Sequence, residues 1–281
     1  MDLVARPGAV TRQRARRFQD GVATDRIESL ATEEPLEIRV GTTTVAVTMR
    51  TPGADFELAV GFLHAEGVLA GSDSVSGVRY CVDRALTPEQ RFNVVTVDLE
   101  AGFGPVDLDR LSRHVLTTSA CGVCGTQSLD VLAERGLARI PAGARWPVGL
   151  LSAMPDLLRE RQQVFDRTGG LHGAALVGRD GEVLAVREDV GRHNAVDKLV
   201  GWAVLGKRLP LSDVALVVSG RASYELAQKA AAAGIPVLLA VSAPSSLAVG
   251  VAERFGMTLA GFVRDGLLTI YAGADRVAAT G

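Results

Sequence analysis

The chain has 281 residues, 30 Lys and Arg against 32 Asp and Glu, a formal net charge of −2 and 47% hydrophobic residues. This balance leaves no basic footprint for nucleic acid, and the longest apolar stretch, 230–241, is broken by Gly234 and Pro236 and is too short to span a bilayer. The length admits one large domain or two ordinary ones around a substantial core.

Residues 1–25 carry Arg6, Arg12, Arg14, Arg16 and Arg17 without hydrophobic periodicity, so they are predicted to be a flexible basic tail. No apolar segment of the kind a signal peptide needs follows them. Two short strands come next, Leu36 to Val40 and Thr43 to Met49, with Gly41-Thr42 as their hairpin turn. Thr51-Pro52-Gly53 breaks the second strand. Asp55 is predicted to cap a helix running to about Leu69, with Phe56, Val60 and Leu63 on one face. Strands are expected at Val78 to Val82 and Phe92 to Leu99, the latter buried on both faces. Residues 26–115 thus form a small α+β unit, and 116–147 a mobile loop and linker with a short helix at about Gln127 to Arg135.

Residues 148–281 have a different grammar. A helix is expected over Ser152 to Phe165, then strand Ala174 to Gly178, an Asp180-Gly181 turn and strand Glu182 to Arg187. A helix follows from His193 to Leu205. Strand Val214 to Val218, helix Ala222 to Ala233, strand Pro236 to Val241 and helix Ser245 to Phe255 come next. Strands Thr258 to Phe262 and Leu267 to Tyr271 close the chain. Strands alternating with amphipathic helices predict an α/β fold with a three-layer sandwich.

Chemistry concentrates in few places. Cys121-Gly122-Val123-Cys124-Gly125 holds two of the three cysteines, and the glycines leave both thiols open to a large partner. A Cys-x-x-Cys pair can hold half a zinc site, cycle through a disulfide, or carry sulfur as a persulfide. No second Cys-x-x-Cys and no closely spaced histidine pair completes a tetrahedral zinc site. Only four histidines exist, His64, His114, His172 and His193. His64-Ala65-Glu66 with the later cysteine pair imitates the zinc deaminase signature. Ala120 stands where that signature has proline, and His64 falls inside an amphipathic helix, so a packing role is expected for it. Cys81 is expected to be buried and inert. An odd, sparse cysteine count suits a reducing, cytoplasmic compartment with free thiols.

Three polar loops fall at strand ends of the second half, where open α/β sheets place ligands. They are Gly169-Gly170-Leu171-His172, the run Glu188 to Lys198 with Arg192 and His193, and Ser219-Gly220-Arg221. Helix N-termini there can hold phosphate, although capping and ordinary ion pairs account for the same residues. Together they point to an anionic, nucleotide-like ligand. Phe262-Val263-Arg264-Asp265-Gly266-Leu267 contains an ordinary Asp-Gly hairpin turn. It also sets an aromatic ring beside a guanidinium, which can stack a purine and pair a phosphate.

Several of these segments occur in order from about residue 30 to the end. They are Met49-Arg50-Thr51-Pro52-Gly53, Gly61-Phe62-Leu63 with Glu66-Gly67, the Cys121 to Gly125 run, Thr168-Gly169-Gly170-Leu171-His172, Glu188 to Lys198, Ser219-Gly220-Arg221 and Gly261 to Gly266. In them the chain resembles the formate dehydrogenase accessory sulfurtransferases, the FdhD family. The resemblance implies a cytidine-deaminase-like second domain without deaminase zinc ligands, and no structural metal. It implies that Cys121 takes sulfur from a cysteine desulfurase as a persulfide. That sulfur passes to the molybdenum bis(guanine dinucleotide) cofactor before insertion into formate dehydrogenase. It places cofactor binding on Phe262 to Leu267, where Leu267 departs from the basic residue often found in the family. A homodimer would also resemble the family. Cys124 either assists release of the sulfur or does not. The competing readings are a zinc-dependent deaminase-like hydrolase, a thiol–disulfide oxidoreductase and a non-catalytic cofactor chaperone.

Overall fold

A computed structural model of the chain describes residues 8–69, 71–81, 86–100 and 137–279. Cys121, Cys124, His114 and the helix expected at 127–135 lie outside the described residues.

The second half is built on a six-stranded sheet. Its strands are β8 (His172–Gly178), β9 (Val183–Asp189), β10 (Val214–Val218), β11 (Val237–Ala240), β12 (Thr258–Arg264) and β13 (Leu267–Ala272), in the spatial order β13-β12-β11-β10-β8-β9. β10, β11 and β12 are parallel, and β8, β9 and β13 run antiparallel to their neighbours. Both faces are covered, as near-continuous Val, Leu and Ala strands require. Ala174, Leu176, Leu216, Val218 and Leu238 belong to one core, and Ala175, Val177, Ala215, Val217 and Leu239 to another. The two-residue side-chain period of a strand sends successive residues into opposite layers. α3 (Val148–Arg159) covers the second face with Leu151, Met154 and Leu158. α5 (Arg192–Leu205), α6 (Tyr224–Ala232) and α7 (Ser246–Phe255) cover the first. Each large side chain removed from water this way contributes about 1.5–3 kcal/mol before entropy. The expected α/β architecture is what the structure has, with its strands and helices following one another along the chain as predicted.

The first half contains a four-stranded sheet of β3 (Glu34–Val40), β4 (Thr43–Arg50), β5 (Val75–Tyr80) and β6 (Val94–Leu99), in the order β4-β3-β6-β5. β6 is central, and Val94, Val95, Thr96 and Val97 are all buried, as its sequence predicts. α1 (Asp55–Ala65) joins this sheet to the second half by crossing α5 at two glycines. A Cβ on Gly61 would stand 1.8 Å from the Asp197 carbonyl oxygen, and one on Gly201 1.8 Å from that of Glu57. Backbone meets backbone at this crossing, and only glycine permits it. A short α2 (Pro88–Arg91) precedes β6, and β7 (Trp146–Pro147) pairs with β14 (Val277–Ala278).

Three predicted elements differ. The basic tail is instead an antiparallel ribbon over most of its length, β1 (Val10–Gln19) with β2 (Val22–Ala31). Asp20 and Gly21 turn it with φ of 50° and 79°, the conformation an Asp-Gly hairpin turn demands. Its arginines hide the strand signal because both faces are largely exposed, so no apolar alternation is required. The helix from Asp55 stops at Ala65, followed by Gly67 at φ 76°. The single helix expected over Ser152 to Phe165 is two, α3 and α4 (Gln163–Thr168), interrupted at Glu160–Gln162. The Glu188 carboxylate restarts the second one by accepting from the Val164 and Phe165 N–H groups at 2.9 and 2.7 Å.

Candidate functional site

The signature runs divide between a buried seam and an open rim. In the seam, Lys198, 2% exposed, places its ammonium 2.7 Å from Asp189 Oδ2 and donates to the Thr51 carbonyl at 2.9 Å. The same carboxylate accepts from Thr51 N, Gly191 N and Asn194 Nδ2. Asn194 also donates to the Met49 carbonyl at 2.8 Å. Arg50 is fully buried and forks onto Asp55 at 3.2 and 3.1 Å, with further bonds to Glu34, Asn93 and the Phe92 carbonyl. Lys229 meets Asp197 at 2.6 Å, yet burial still pushes the Asp197 carboxyl above the ordinary range. Arg187 and Glu57 pair across the two halves at 2.5 and 2.6 Å. These residues satisfy one another, and their work is to lock the first half onto the second.

The rim lies at the carboxyl ends of β9, β10, β11 and β12. β8 runs the other way, so its first residue, His172, arrives at the same end, opposite Asp189. Three helices start there, with Gly191, Ser223 and Ser245 as their N-terminal flanking residues. Only Ser245 caps its helix with its side chain, accepting from Ala248 N at 3.2 Å. The first turn of α5 is thus without a side-chain cap, an arrangement that favours anions, whereas Glu225 in the first turn of α6 accepts from its own backbone N–H and already places a negative charge there. Arg192, Arg221 and Arg264 have no carboxylate partner among the described residues, and the Arg192 Nε is buried without any acceptor. A buried guanidinium nitrogen left unbonded is costly in a protein that has nothing for it to hold.

Burial, with help from Arg192 and His193, holds the His172 imidazole below its ordinary pKa, so it stays neutral as an acceptor or donor. His193 Nε2 stands 3.2 Å from Ser223 Oγ and 3.5 Å from Glu225 Oε2. Its hydrogen bond holds Glu225 down to about 2. Ser219 Oγ accepts from Gly173 N at 2.9 Å and ties β8 to the end of β10.

A cavity of about 590 Å³ opens at this rim on the α3 side of the sheet. His172, Ser219, Val263 and Arg264 line it, with Asp156, Arg159, Gln162 and Phe165 from the helices opposite. Its size falls within the ~300–1,000 Å³ of small-molecule sites. Phe262 sits in a bulge of β12 between Gly261 and Arg264, at φ 54°, and is exposed. The bulge turns Val263 into the core and leaves Arg264 at the cavity. Positive φ at a bulky residue is strained backbone. Asp265 and Gly266 form the positive-φ turn, and Leu267 is exposed on β13; none of the three lines the cavity.

Residues 31–278 match the family model described as the FdhD/NarQ family. The chain belongs to that family. It is 54% identical over 270 residues to the sulfur carrier protein FdhD of Mycolicibacterium paratuberculosis, covering 95% of this chain and 98% of that one. It is 54% identical over 276 residues to the protein of the same name from Streptomyces coelicolor, covering 96% and 97%. A crystal structure of a formate dehydrogenase accessory protein from Desulfotalea psychrophila superposes with a TM-score of 0.75 at 22% identity, over 96% of this chain and 100% of that one. That likeness concerns the fold.

Against the sequence predictions, the structure gathers His172, Arg192, His193, Ser219, Arg221 and Arg264 at one end of one sheet. Asp265, Gly266 and Leu267 stand apart from the cavity. His64 is a packing residue, its ring nitrogens 3.1 and 3.2 Å from the Leu69 and Ala232 carbonyls, so neither is open to a metal. Cys81 is half-buried rather than buried. Sequence reasoning missed Asp156, Arg159, Gln162, Phe165 and Glu225. On a helix, such polar residues read as a solvated face, and only the cavity or the histidine beside them tells otherwise.

Proposed function

We propose that this protein is a sulfur carrier serving formate dehydrogenase. It accepts sulfur on Cys121 and passes it to the molybdenum bis(guanine dinucleotide) cofactor, the cargo held at the carboxyl end of the six-stranded sheet. The observation that carries the cargo site is the trio Arg192, Arg221 and Arg264, without a carboxylate partner among the described residues, beside the uncapped start of α5. The relatives named sulfur carrier protein FdhD support the sulfur chemistry.

In the loading step, the Cys121 thiolate attacks the outer sulfur of a desulfurase persulfide. One S–S bond breaks, the donor cysteine leaves as a thiolate, and a new S–S bond forms on Cys121, so the step is an exchange with no net oxidation. Neutral His172 and the Ser219 hydroxyl orient the cargo's polar groups, and the arginines neutralise its phosphates. Incubation with a desulfurase and cysteine, followed by mass spectrometry, should map one added sulfur to Cys121. Cys121→Ala should abolish both loading and formate dehydrogenase activation. A Cys121→Ala protein that still activates the enzyme would make it a cofactor chaperone instead. Cys124→Ala separates a two-cysteine release, which leaves a disulfide, from a one-cysteine transfer.

A further inference from the structure

The ribbon β1–β2 has no part in the seam or the rim, yet it holds both charge and apolar bulk out in water. Strands alternate their side chains, so Arg12, Arg14, Arg16 and Phe18 of β1 stand on one face, with Ile27 of β2 opposite Arg14. All five are exposed, Phe18 at 71% and Ile27 at 62%. Asp25 is the acid of this face. It bonds to Arg14 and lies 3.9 Å from Arg16, so three guanidinium groups stand against one carboxylate. Arg12 has no ion pair among the described residues. A row of charge on an edge strand guards that edge against stray pairing. Such a guard does not call for an aromatic ring left in water at the end of the row, and a two-stranded ribbon is only marginally stable uncovered.

The ribbon is rooted beside the cargo cavity. β2 packs on α4, and the Ala31 Cβ would lie 3.5 Å from a Cβ on Gly170. Phe165 of α4, Gly169 and Gly170 are themselves part of the cavity wall. From this root the two ten-residue strands run about 30 Å. The family model begins at residue 31, where β2 ends, so the ribbon lies outside what that model describes. A partner-specific role suits such an addition.

We infer that the face bearing Arg12, Arg14, Arg16, Phe18 and Ile27 docks an acidic surface of the formate dehydrogenase that receives the cargo. The choice of the receiver rests on the cargo-site reading above. A sulfur donor has to reach Cys121, whereas a receiver has to reach the cavity, and the ribbon stands on the cavity's wall. Charge decides the chemistry of the partner. β1 laid along β1 of a second copy opposes arginine to arginine wherever the rows overlap. A surface with carboxylates at the same spacing, about 6.6 Å, meets each guanidinium with an acceptor pair and leaves Phe18 to enter an apolar hollow.

The test is binding of the full chain to the formate dehydrogenase of the same organism, prepared without its cofactor, at low and high salt. Wild type should bind, and more weakly at high salt. The triple variant Arg12→Glu, Arg14→Glu, Arg16→Glu should bind at least about tenfold more weakly and lose most of the salt dependence. Phe18→Ser should bind about tenfold more weakly with the salt dependence kept. Both variants should keep the wild-type unfolding midpoint, GDP binding and sulfur loading on Cys121, which separates docking from folding and from the cargo site. Enzyme binding equal to wild type in both variants, or no binding by wild type, overturns the inference. So does a loss that falls elsewhere: on sulfur loading, which assigns the ribbon to the donor; on self-association in sedimentation, which assigns it to a second copy; or on vesicles containing phosphatidylglycerol, which assigns it to a membrane. A wild type that binds the enzyme through the ribbon but holds no GDP keeps the docking surface and overturns the cargo-site reading instead.

Discussion

The seam and the rim are made from the same stretches of sequence but obey opposite electrostatic rules. Within the run Glu188 to Lys198, Asp189, Asn194 and Lys198 turn inward and satisfy each other, while Arg192 at the rim has no carboxylate partner among the described residues. The helical period separates them, since 194 and 198 share a face that 192 does not. Buried pairs cost desolvation and add little net stability over apolar packing, but they fix which groups meet. Unpaired arginines do the reverse, holding affinity in reserve for a ligand. A substitution in the seam should therefore act on folding and leave no specific binding signature. One at the rim should act on binding and leave the fold intact.

The largest effect belongs to the seam. Asp189→Ala strands the Lys198 ammonium and frees the Thr51, Gly191 and Asn194 donors together. Denaturant unfolding should show a loss of about 3–5 kcal/mol. A loss below about 1 kcal/mol would place the seam's stability elsewhere. Gly201→Ala attacks the same junction sterically. Its methyl group would land on the Glu57 backbone, so the helices must separate, at a cost of about 1–3 kcal/mol or more.

The rim comes next. Arg264→Ala should leave the unfolding midpoint within error, because the side chain is exposed and has no ion pair among the described residues. It should weaken GDP binding by about 1.5–3 kcal/mol, tenfold or more, as expected for charge-assisted bonds. If the same variant unfolds early and binds normally, the distinction between seam and rim fails.

The sequence made these two regions hard to tell apart. The strands and helices of the second half were legible because Val, Leu and Ala runs alternate with amphipathic segments bounded by Gly and Pro. Strand β10 falls at Val214–Val218, the range predicted for it. The polar runs were legible as important but not as divided. Nothing in Lys198 as a letter reveals a partner more than a hundred residues away, Thr51, and nothing in Arg50 reveals Asn93. Asp156 was invisible for the opposite reason, since it looks like any solvated helix residue until the cavity wall is assembled. The hairpin β1–β2 was missed because charge masked its alternation, although Asp20-Gly21 marked its turn.

A smaller effect concerns pH and tests whether burial at the seam's edge matters outside its ion pairs. Burial holds the His64 imidazole below its ordinary value near 6.5. The unfolded chain then binds a proton that the folded chain refuses, so stability is full above about pH 6.5 and falls as the solution is acidified below it. His172 contributes with the same sign. His64→Gln should flatten part of this slope below about pH 6.5, and His172→Gln another part.

The smallest expected effect lies in the ribbon. Arg14 and Asp25 pair diagonally across β1 and β2 at 3.0 Å, but their side chains are 76% and 48% exposed. Water screens the pair, and two mobile side chains must be held to form it, so Arg14→Ala should change stability by no more than about 0.5 kcal/mol. Asp189 and Asp25 are both carboxylates within hydrogen-bonding distance of a cation, yet their removal should differ several-fold in cost. That difference isolates burial as the variable. A ribbon substitution as damaging as Asp189→Ala would mean that charge pairing itself, rather than pairing away from water, holds this fold together.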